Sequence, residues 1–296
     1  MLVVAVSSRA LFDFSEENAV FERSGLQAYQ KFQRAHESIP LKQGACFSLV
    51  RKLLSLNQYV DTQAIEVILC SRNSADTGLR VFNSITHFGL PITRAFFTDG
   101  QPVHPYLKAY HIDLFLSAHE HDVMSALNSG IAAATILPPP TATPESHESQ
   151  QLRIAFDADC VLFSDAPEII HRKEGLAAFA ESEKVNAHVS LEDGPFSQFL
   201  RSFGKIQSIL PGKQLIRTAL VTARSAPAHE RVIRTLRQWD VSIDESFFLG
   251  GYDKSQLLSI YRPDIFFDDL RENCALSAET VPTGHVPYGI TNDDMA

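Results

Sequence analysis

The chain repeats itself at an interval of about 150 to 152 residues, and that repeat constrains the fold more than any local pattern does. Leu2-Val3-Val4-Ala5-Val6-Ser7-Ser8-Arg9 aligns with Leu152-Arg153-Ile154-Ala155-Phe156-Asp157-Ala158-Asp159. Gly25-Leu26 falls on Gly175-Leu176, and Leu41 and Gly44 fall on Leu191 and Gly194. Cys70-Ser71-Arg72 falls on Thr222-Ala223-Arg224, Arg80-Val81 on Arg231-Val232, Phe96-Phe97 on Phe247-Phe248, and residues 110–115 on 261–266. Identities are sparse, but their order and spacing are shared.

Each copy carries short apolar runs, at 2–6, 65–70 and 112–117 and then at 152–156, 218–222 and 263–267. Amphipathic stretches lie between them. In residues 231–239, Val232, Ile233, Leu236 and Trp239 share one helical face and arginines the other. Near-continuous apolar strands alternating with helices imply a parallel sheet covered on both faces. The expected fold is α/β, with two tandem Rossmann-like halves, 1–137 and 151–296. A proline-rich connector at 138–150 joins them. A small helical cap is expected at roughly 164–217, with Phe163, Phe179, Phe196, Phe199 and Phe203 either stacking on a ligand or packing in the core.

A formal net charge of −9 argues against affinity for a nucleic acid polymer or an anionic membrane surface. It leaves room for a small anionic substrate held by a metal or a local positive pocket. No apolar run is long enough to span a bilayer. The first residues read as a strand rather than a leader, so a cytoplasmic location is the expectation. Cys46, Cys70, Cys160 and Cys274 are scattered, form no C-x-x-C pair and are expected to be buried free thiols. The pattern leaves open whether identical chains assemble.

The two copies differ where chemistry would occur. In sheets of this kind, ligands bind beyond the carboxyl ends of the strands. There the second copy has Asp157 and Asp159 where the first has Ser7 and Arg9. It has Lys254 where the first has Val103, and Asp268-Asp269 where the first has Ser117-Ala118. The first copy is therefore expected to be a catalytically degenerate half. In the second, Asp157 is the candidate nucleophile toward a phosphate monoester, and Asp159 the acid/base two residues on. Thr222 offers a hydroxyl and an N–H to phosphate oxygens, and Lys254 a compact positive charge. Asp268 or Asp269 completes an oxygen-only donor set that suits Mg²⁺. Arg224 is the candidate for a further phosphate or ribose contact. Neither a G-x-S-x-G elbow nor a Walker-type phosphate loop is present.

The ordered series D-x-D, Thr after a strand, Lys and D-D resembles the haloacid-dehalogenase-like hydrolase superfamily. Longer stretches are similar to the cytosolic 5′-nucleotidase type I family. These are residues 5–12, 107–111, 130–136, 220–226 and 265–269, with His285-Val286-Pro287-Tyr288-Gly289. The resemblance implies Mg²⁺-dependent hydrolysis of nucleoside 5′-monophosphates, AMP being the favoured substrate, through an aspartyl-phosphate. It implies that Asp157 is the nucleophile and Asp159 the acid/base, that Thr222 and Lys254 bind phosphate, and that Asp157, Asp159 (through its carbonyl) and Asp268 hold the metal. Ala223 and Arg224, next to Thr222, are further candidate substrate contacts read from the residues, with a surface or ion-paired arginine as the other reading of Arg224. The residues alone also allow a phosphatase of another small phosphoester, or a nucleotide-binding protein without turnover.

Overall fold

The computed structural model describes residues 1–137, 149–212 and 214–292. The expected connector lies outside the described residues except for Ser149 and Gln150. The first block runs β1 (Leu2–Val6), α1 (Ser8–Leu11), β2 (Phe12–Asp13), α2 (Ser15–Ala35), β3 (Lys42–Gln43), α3 (Phe47–Ser55), β4 (Ile65–Ser71), α4 (Ala75–His87), β5 (Arg94–Phe97), α5 (His104–Ala109), β6 (Leu114–Ser117), α6 (Glu120–Leu127) and β7 (Ala132–Leu137). The second runs β8 (Leu152–Phe156), α7 (Ala166–Glu174), α8 (Leu176–Val185), α9 (Ser197–Ile209), β9 (Ile216–Thr222), α10 (His229–Gln238), β10 (Glu245–Phe248), α11 (Ser255–Tyr261), β11 (Ile265–Asp268), α12 (Arg271–Ala278) and β12 (Thr283–His285).

Ten of these strands form one sheet, in the order β10-β9-β8-β11-β12-β7-β6-β1-β4-β5. The strand order of the first block, read outward from β7, repeats that of the second read outward from β12. Every neighbouring pair is parallel except β12 and β7, which meet antiparallel with Gly284 opposite Ile136. Because direction reverses at that seam, the carboxyl edges of the two blocks face opposite ends of the sheet. The six apolar runs read from the sequence are the strands β1, β4, β6, β8, β9 and β11. The outer and seam strands β5, β7, β10 and β12 were not distinguished as strands.

Local devices recur in both blocks. Gly25 and Gly175 both have a left-handed φ, +74° and +87°, and each breaks a long helical stretch into two. A side chain at Gly44 would strike the backbone of Phe12, and one at Gly194 the backbone of Phe163. These contacts explain why glycine stands at both aligned positions. One alignment needs correction. Leu2 pairs with Ile65 as Leu152 pairs with Ile216, and β4 and β9 are both seven residues long. The residue corresponding to Thr222 is therefore Ser71 and not Cys70. Matching Arg72 to Arg224 by identity shifted the register by one, and Asn73 is the true counterpart of Arg224.

The core is continuous across the seam. Val4, Val6, Phe47, Val50, Phe156, Phe199, Phe203 and Phe267 belong to one buried cluster. Helix α3 packs on β8 of the other block and α9 packs on β1, the reciprocal contact of a self-complementary interface. Phe163, Phe196, Phe199 and Phe203 are fully buried, so of the two roles open to the cap-region aromatics these four take the core one. All four cysteines are free and buried, and burial pushes the Cys70 thiol up to about 12.

The seam is tightly filled. A Cβ at Gly284 would lie 2.8 Å from Phe267 Cδ1 and 2.9 Å from Ala134 Cβ. Gly284→Ala is therefore expected to lower the unfolding free energy by about 1–3 kcal/mol, measured by urea denaturation with an unchanged m-value.

Candidate active site

The second block gathers its charged residues at the carboxyl ends of β8, β9 and β11. Asp157 directly follows β8 and is tied to the neighbouring strand by its N–H, which donates to the Phe267 carbonyl at 2.8 Å. Ala158 N–H donates to Asp157 Oδ1 at 2.7 Å. Asp268 is the last residue of β11. Lys254 caps the start of α11, after a turn whose glycines, Gly250 and Gly251, both take positive φ. Its Nζ lies 2.9 Å from Asp157 Oδ2 and 2.7 Å from Asp268 Oδ2. Three segments separated by up to 111 residues thus meet at one buried ammonium.

The carboxylates are held from behind. Asp268 Oδ1 accepts Leu270 N–H at 2.9 Å, and Asn273 Nδ2 donates to both Asp268 oxygens at 3.2 Å. Thr291 Oγ1 donates to Asp269 Oδ2 at 2.7 Å. The Asp269 carbonyl accepts Asn292 Nδ2 at 3.1 Å and lies 3.0 Å from His285 Nε2.

Asp157, Asp268 and Asp269 are all buried, and they offer oxygens within 4.8 Å of one another. At an effective dielectric near 20, unit charges 4 Å apart interact by about 4 kcal/mol. Three carboxylates face one ammonium, so the group carries excess negative charge when all three are ionised. Burial and neighbouring charges both shift the proton affinities of these groups. Burial raises Asp157, Lys254 opposes that, and Asp268 adds to it. Burial and then the charges of Asp268 and Asp157 hold Asp269 well above the ordinary carboxylate range. Burial works against the Lys254 charge, but Asp157 and Asp268 more than offset it and raise its pKa. A divalent cation would remove the excess negative charge, and an all-oxygen set is the donor chemistry of Mg²⁺. These residues therefore fit such an ion.

Asp159 stands apart from the three carboxylates. Arg224 grips it bidentately, Nε to Oδ2 and Nη2 to Oδ1, both at 2.7 Å. The same guanidinium bonds Glu183 through Nη1 and the Ala228 carbonyl at 3.3 Å. Glu183 is 1% exposed, and its other oxygen accepts Arg231 Nη1 at 2.7 Å. The half-buried Phe179 ring lies 5.3 Å from Arg224 Cζ. Burial disfavours the Arg224 charge, but Asp159 and Glu183 more than offset it. Thr222 ends β9 almost fully buried, and its Oγ1 accepts the Arg224 N–H at 3.2 Å, which leaves the hydroxyl proton to donate elsewhere.

The sequence model of the family described as 5′-nucleotidase matches residues 1–293. The chain belongs to the 5′-nucleotidase family. A human relative named Cytosolic 5′-nucleotidase 1B is 38% identical over 280 residues, which cover 90% of this chain and 46% of the relative. The chain spans about half the length of that curated relative. No solved structure is significantly similar to it.

In this 5′-nucleotidase-family chain, the residues singled out from the sequence fall into two adjoining groups. Asp157, Lys254 and Asp268 touch directly, with Asp269 beside them. Asp159 and Arg224 form the second group, in which Arg224 spends its donors on carboxylates and a carbonyl rather than facing an open pocket. Thr222 joins the second group through the Arg224 N–H, and Ala223 lies exposed between them. Ligation by Asp159 was expected through its carbonyl, so its side chain is not one of the clustered three. Glu183, Asn273, Thr291 and Asn292 were not recognised in the sequence. Glu183 lies on α8 with no motif around it, and nothing local marks it as buried.

Adding Mg²⁺ at 100 times its dissociation constant should stabilise the protein by about 2.7 kcal/mol. Differential scanning calorimetry should show the matching rise in Tm, and Asp268→Asn should remove the Mg²⁺-dependent increment.

Proposed function

We propose that this chain is a Mg²⁺-dependent 5′-nucleotidase that hydrolyses nucleoside 5′-monophosphates, AMP foremost, through an aspartyl-phosphate on Asp157. The observation that carries the reading is the buried Lys254 bridging Asp157 and Asp268 within an acidic cluster at a strand edge, in a chain of this family. The expected architecture goes with it. Residues 1–137 form a degenerate haloacid-dehalogenase-like half and residues 151–296 the catalytic one, with the segment around 164–217 as cap and one active site per chain. Among the described residues no helix is long and apolar enough to cross a membrane, and a cytoplasmic protein is the matching proposal.

In this scheme, Asp157, the Asp159 carbonyl and Asp268 would hold the metal, which would supply positive charge to offset that of carboxylate and phosphate. Lys254 fixes the free oxygen of Asp157 and faces the phosphate with a positive charge. The Thr222 hydroxyl and nearby N–H groups, that of Ala223 included, orient phosphate oxygens. An Asp157 oxygen bonds to phosphorus as the bond to the ribose 5′ oxygen breaks, and Asp159, once one of its oxygens has left Arg224 and taken up a proton, gives that proton to the departing oxygen. Asp159 then takes a proton from water, whose oxygen attacks phosphorus and releases Asp157. Phe179 is the half-buried aromatic available to a base near this edge. Arg224, expected to touch phosphate or ribose, would have to leave both carboxylates to do so. In the observed arrangement, its part is to hold the acid in place.

Purified protein with Mg²⁺ should release phosphate from AMP, and Asp157→Asn should bring release to background. Turnover of sugar phosphates with no 5′-mononucleotide hydrolysed would assign another phosphatase class. Tight AMP binding with no turnover would assign a nucleotide-binding protein. If Arg224 positions the acid, Arg224→Met should lower kcat on AMP by about a hundredfold, in the range that general acids contribute. The adenosine analogue with bridging sulfur at the 5′ position needs no proton on its leaving thiolate, so it should lose far less. Equal losses on both substrates would assign Arg224 to substrate contact or to folding.

A further inference from the structure

Glu183 is the one residue that α8 buries, and it is a carboxylate. A buried carboxylate is costly unless it is paired, and each of its oxygens has its own guanidinium. Oε1 accepts Arg231 Nη1 at 2.7 Å, and Oε2 accepts Arg224 Nη1. The first block shows which of these two pairs belongs to the fold. The aligned glycines and the strand register place Gln33 at the position of Glu183 and Arg80 at that of Arg231. Arg80 Nη1 donates to Gln33 Oε1 at 3.0 Å and its Nε to the Ile39 carbonyl at 2.9 Å. Arg231 Nη1 donates to Glu183 in the same way, and its Nε to the Val189 carbonyl at 2.8 Å. The same arginine thus ties down the helical arm in both blocks. In the first, a neutral amide makes this bond, and the charge of Arg80 is met by Glu17 at 2.6 Å.

The other oxygen of Glu183 has no such precedent. In the first block, Gln33 Nε2 donates to the Tyr29 hydroxyl at 3.1 Å, and that hydroxyl donates to Asn73 Oδ1 at 3.4 Å. This chain is neutral. The second block has Glu183 for Gln33, Phe179 for Tyr29 and Arg224 for Asn73, and there the chain carries charge from α8 to the end of β9 and on to Asp159. Asp159 itself replaces Arg9. Four positions change together while the Arg80 and Arg231 anchors stay. The second charged contact of Glu183 therefore goes with the acid/base candidate and not with the arm. Its effect follows from how Arg224 is shared. Asp159 takes Nε and Nη2 of the buried guanidinium, and Glu183 takes Nη1. When an Asp159 oxygen leaves Arg224, Glu183 remains as its counter-charge, so the guanidinium keeps its place.

We propose that Glu183 is a positioning residue for the acid/base. It holds Arg224 from behind, so that the guanidinium orients Asp159 and can still release one of its oxygens. Glu183 acts through Arg224 and not on the substrate itself. The proposal rests on the 5′-nucleotidase reading of Asp157 and Asp159 given above.

The test compares steady-state kinetics on AMP and on its 5′ sulfur-bridged analogue, whose leaving group needs no proton. Glu183→Gln should lower kcat on AMP by about tenfold or more, the scale of a misplaced catalytic group, with KM little changed. It should lose far less on the analogue. Arg231→Met removes only the bond that the first block shares, so the ratio of kcat on the two substrates should stay native. Without Arg224, Glu183 has nothing to act through, so Arg224→Met/Glu183→Gln should show the same ratio as Arg224→Met. That double variant is neutral at both positions, as the first block is, and it decides the matter if Glu183→Gln does not fold. Thermal unfolding monitored by circular dichroism checks each variant. Native kcat on AMP in Glu183→Gln, equal losses on both substrates, the same altered ratio in Arg231→Met, or a further change of ratio in the double variant overturns the proposal. In an active native protein, those outcomes remove the role of Glu183 alone. A native protein that hydrolyses no 5′-mononucleotide removes the 5′-nucleotidase reading, and this proposal with it.

Discussion

The ammonium of Lys254 is the contact on which the rest of the second block is organised. It reaches the end of β8 and the end of β11 at once, 2.9 Å from Asp157 and 2.7 Å from Asp268. Without it, three buried carboxylates would repel one another across less than 5 Å. With it alone, the cluster is still too negative, and that residual charge is what a divalent ion would answer. The same imbalance that burdens the fold is the basis of the proposed chemistry, a common relation between strain and function.

Around this contact, the structure separates two tasks. The ammonium and the metal-type carboxylates are anchored to strands and to the segment after β12, through Asn273, Thr291 and Asn292. The acid/base candidate Asp159 is anchored instead to Arg224, and through it to Glu183 on α8. The helical segment after β8 is thus linked to the candidate acid/base, and the strand edges to the acidic cluster. A change in α8 would reach Asp159 without disturbing Lys254.

The seam between β7 and β12 sets where the two edges lie. Its antiparallel pairing turns the first block upside down relative to the second. The first block therefore supports the second through its core, by α3 on β8 and the pair of the half-buried Lys52 with Asp264 at 2.8 Å. Across the seam Asp268, His285, Thr135 and Ser117 stand in one row, and Glu120 at the start of α6 pairs with Arg271 at the start of α12.

The sequence by itself determined the alternation of strands and helices, the repeat, and the residues Asp157, Lys254 and Asp268. It did so because apolar runs and strand-end motifs are local, and the order of such motifs survives on the page. It missed β5, β10 and β12, which have no long apolar run, and also β7, whose run Ala132–Leu137 is broken only by Thr135, and it slipped by one residue where an arginine identity outweighed strand length. Only the tertiary structure decided that the blocks join in one sheet through a single antiparallel pair, because hydrogen bonding between distant strands leaves no local trace. Only it decided that Arg224 turns to Asp159 and Glu183. The choice of partner for a buried guanidinium depends on which carboxylates the fold brings within reach, and Glu183 comes from a helix 41 residues away in the chain.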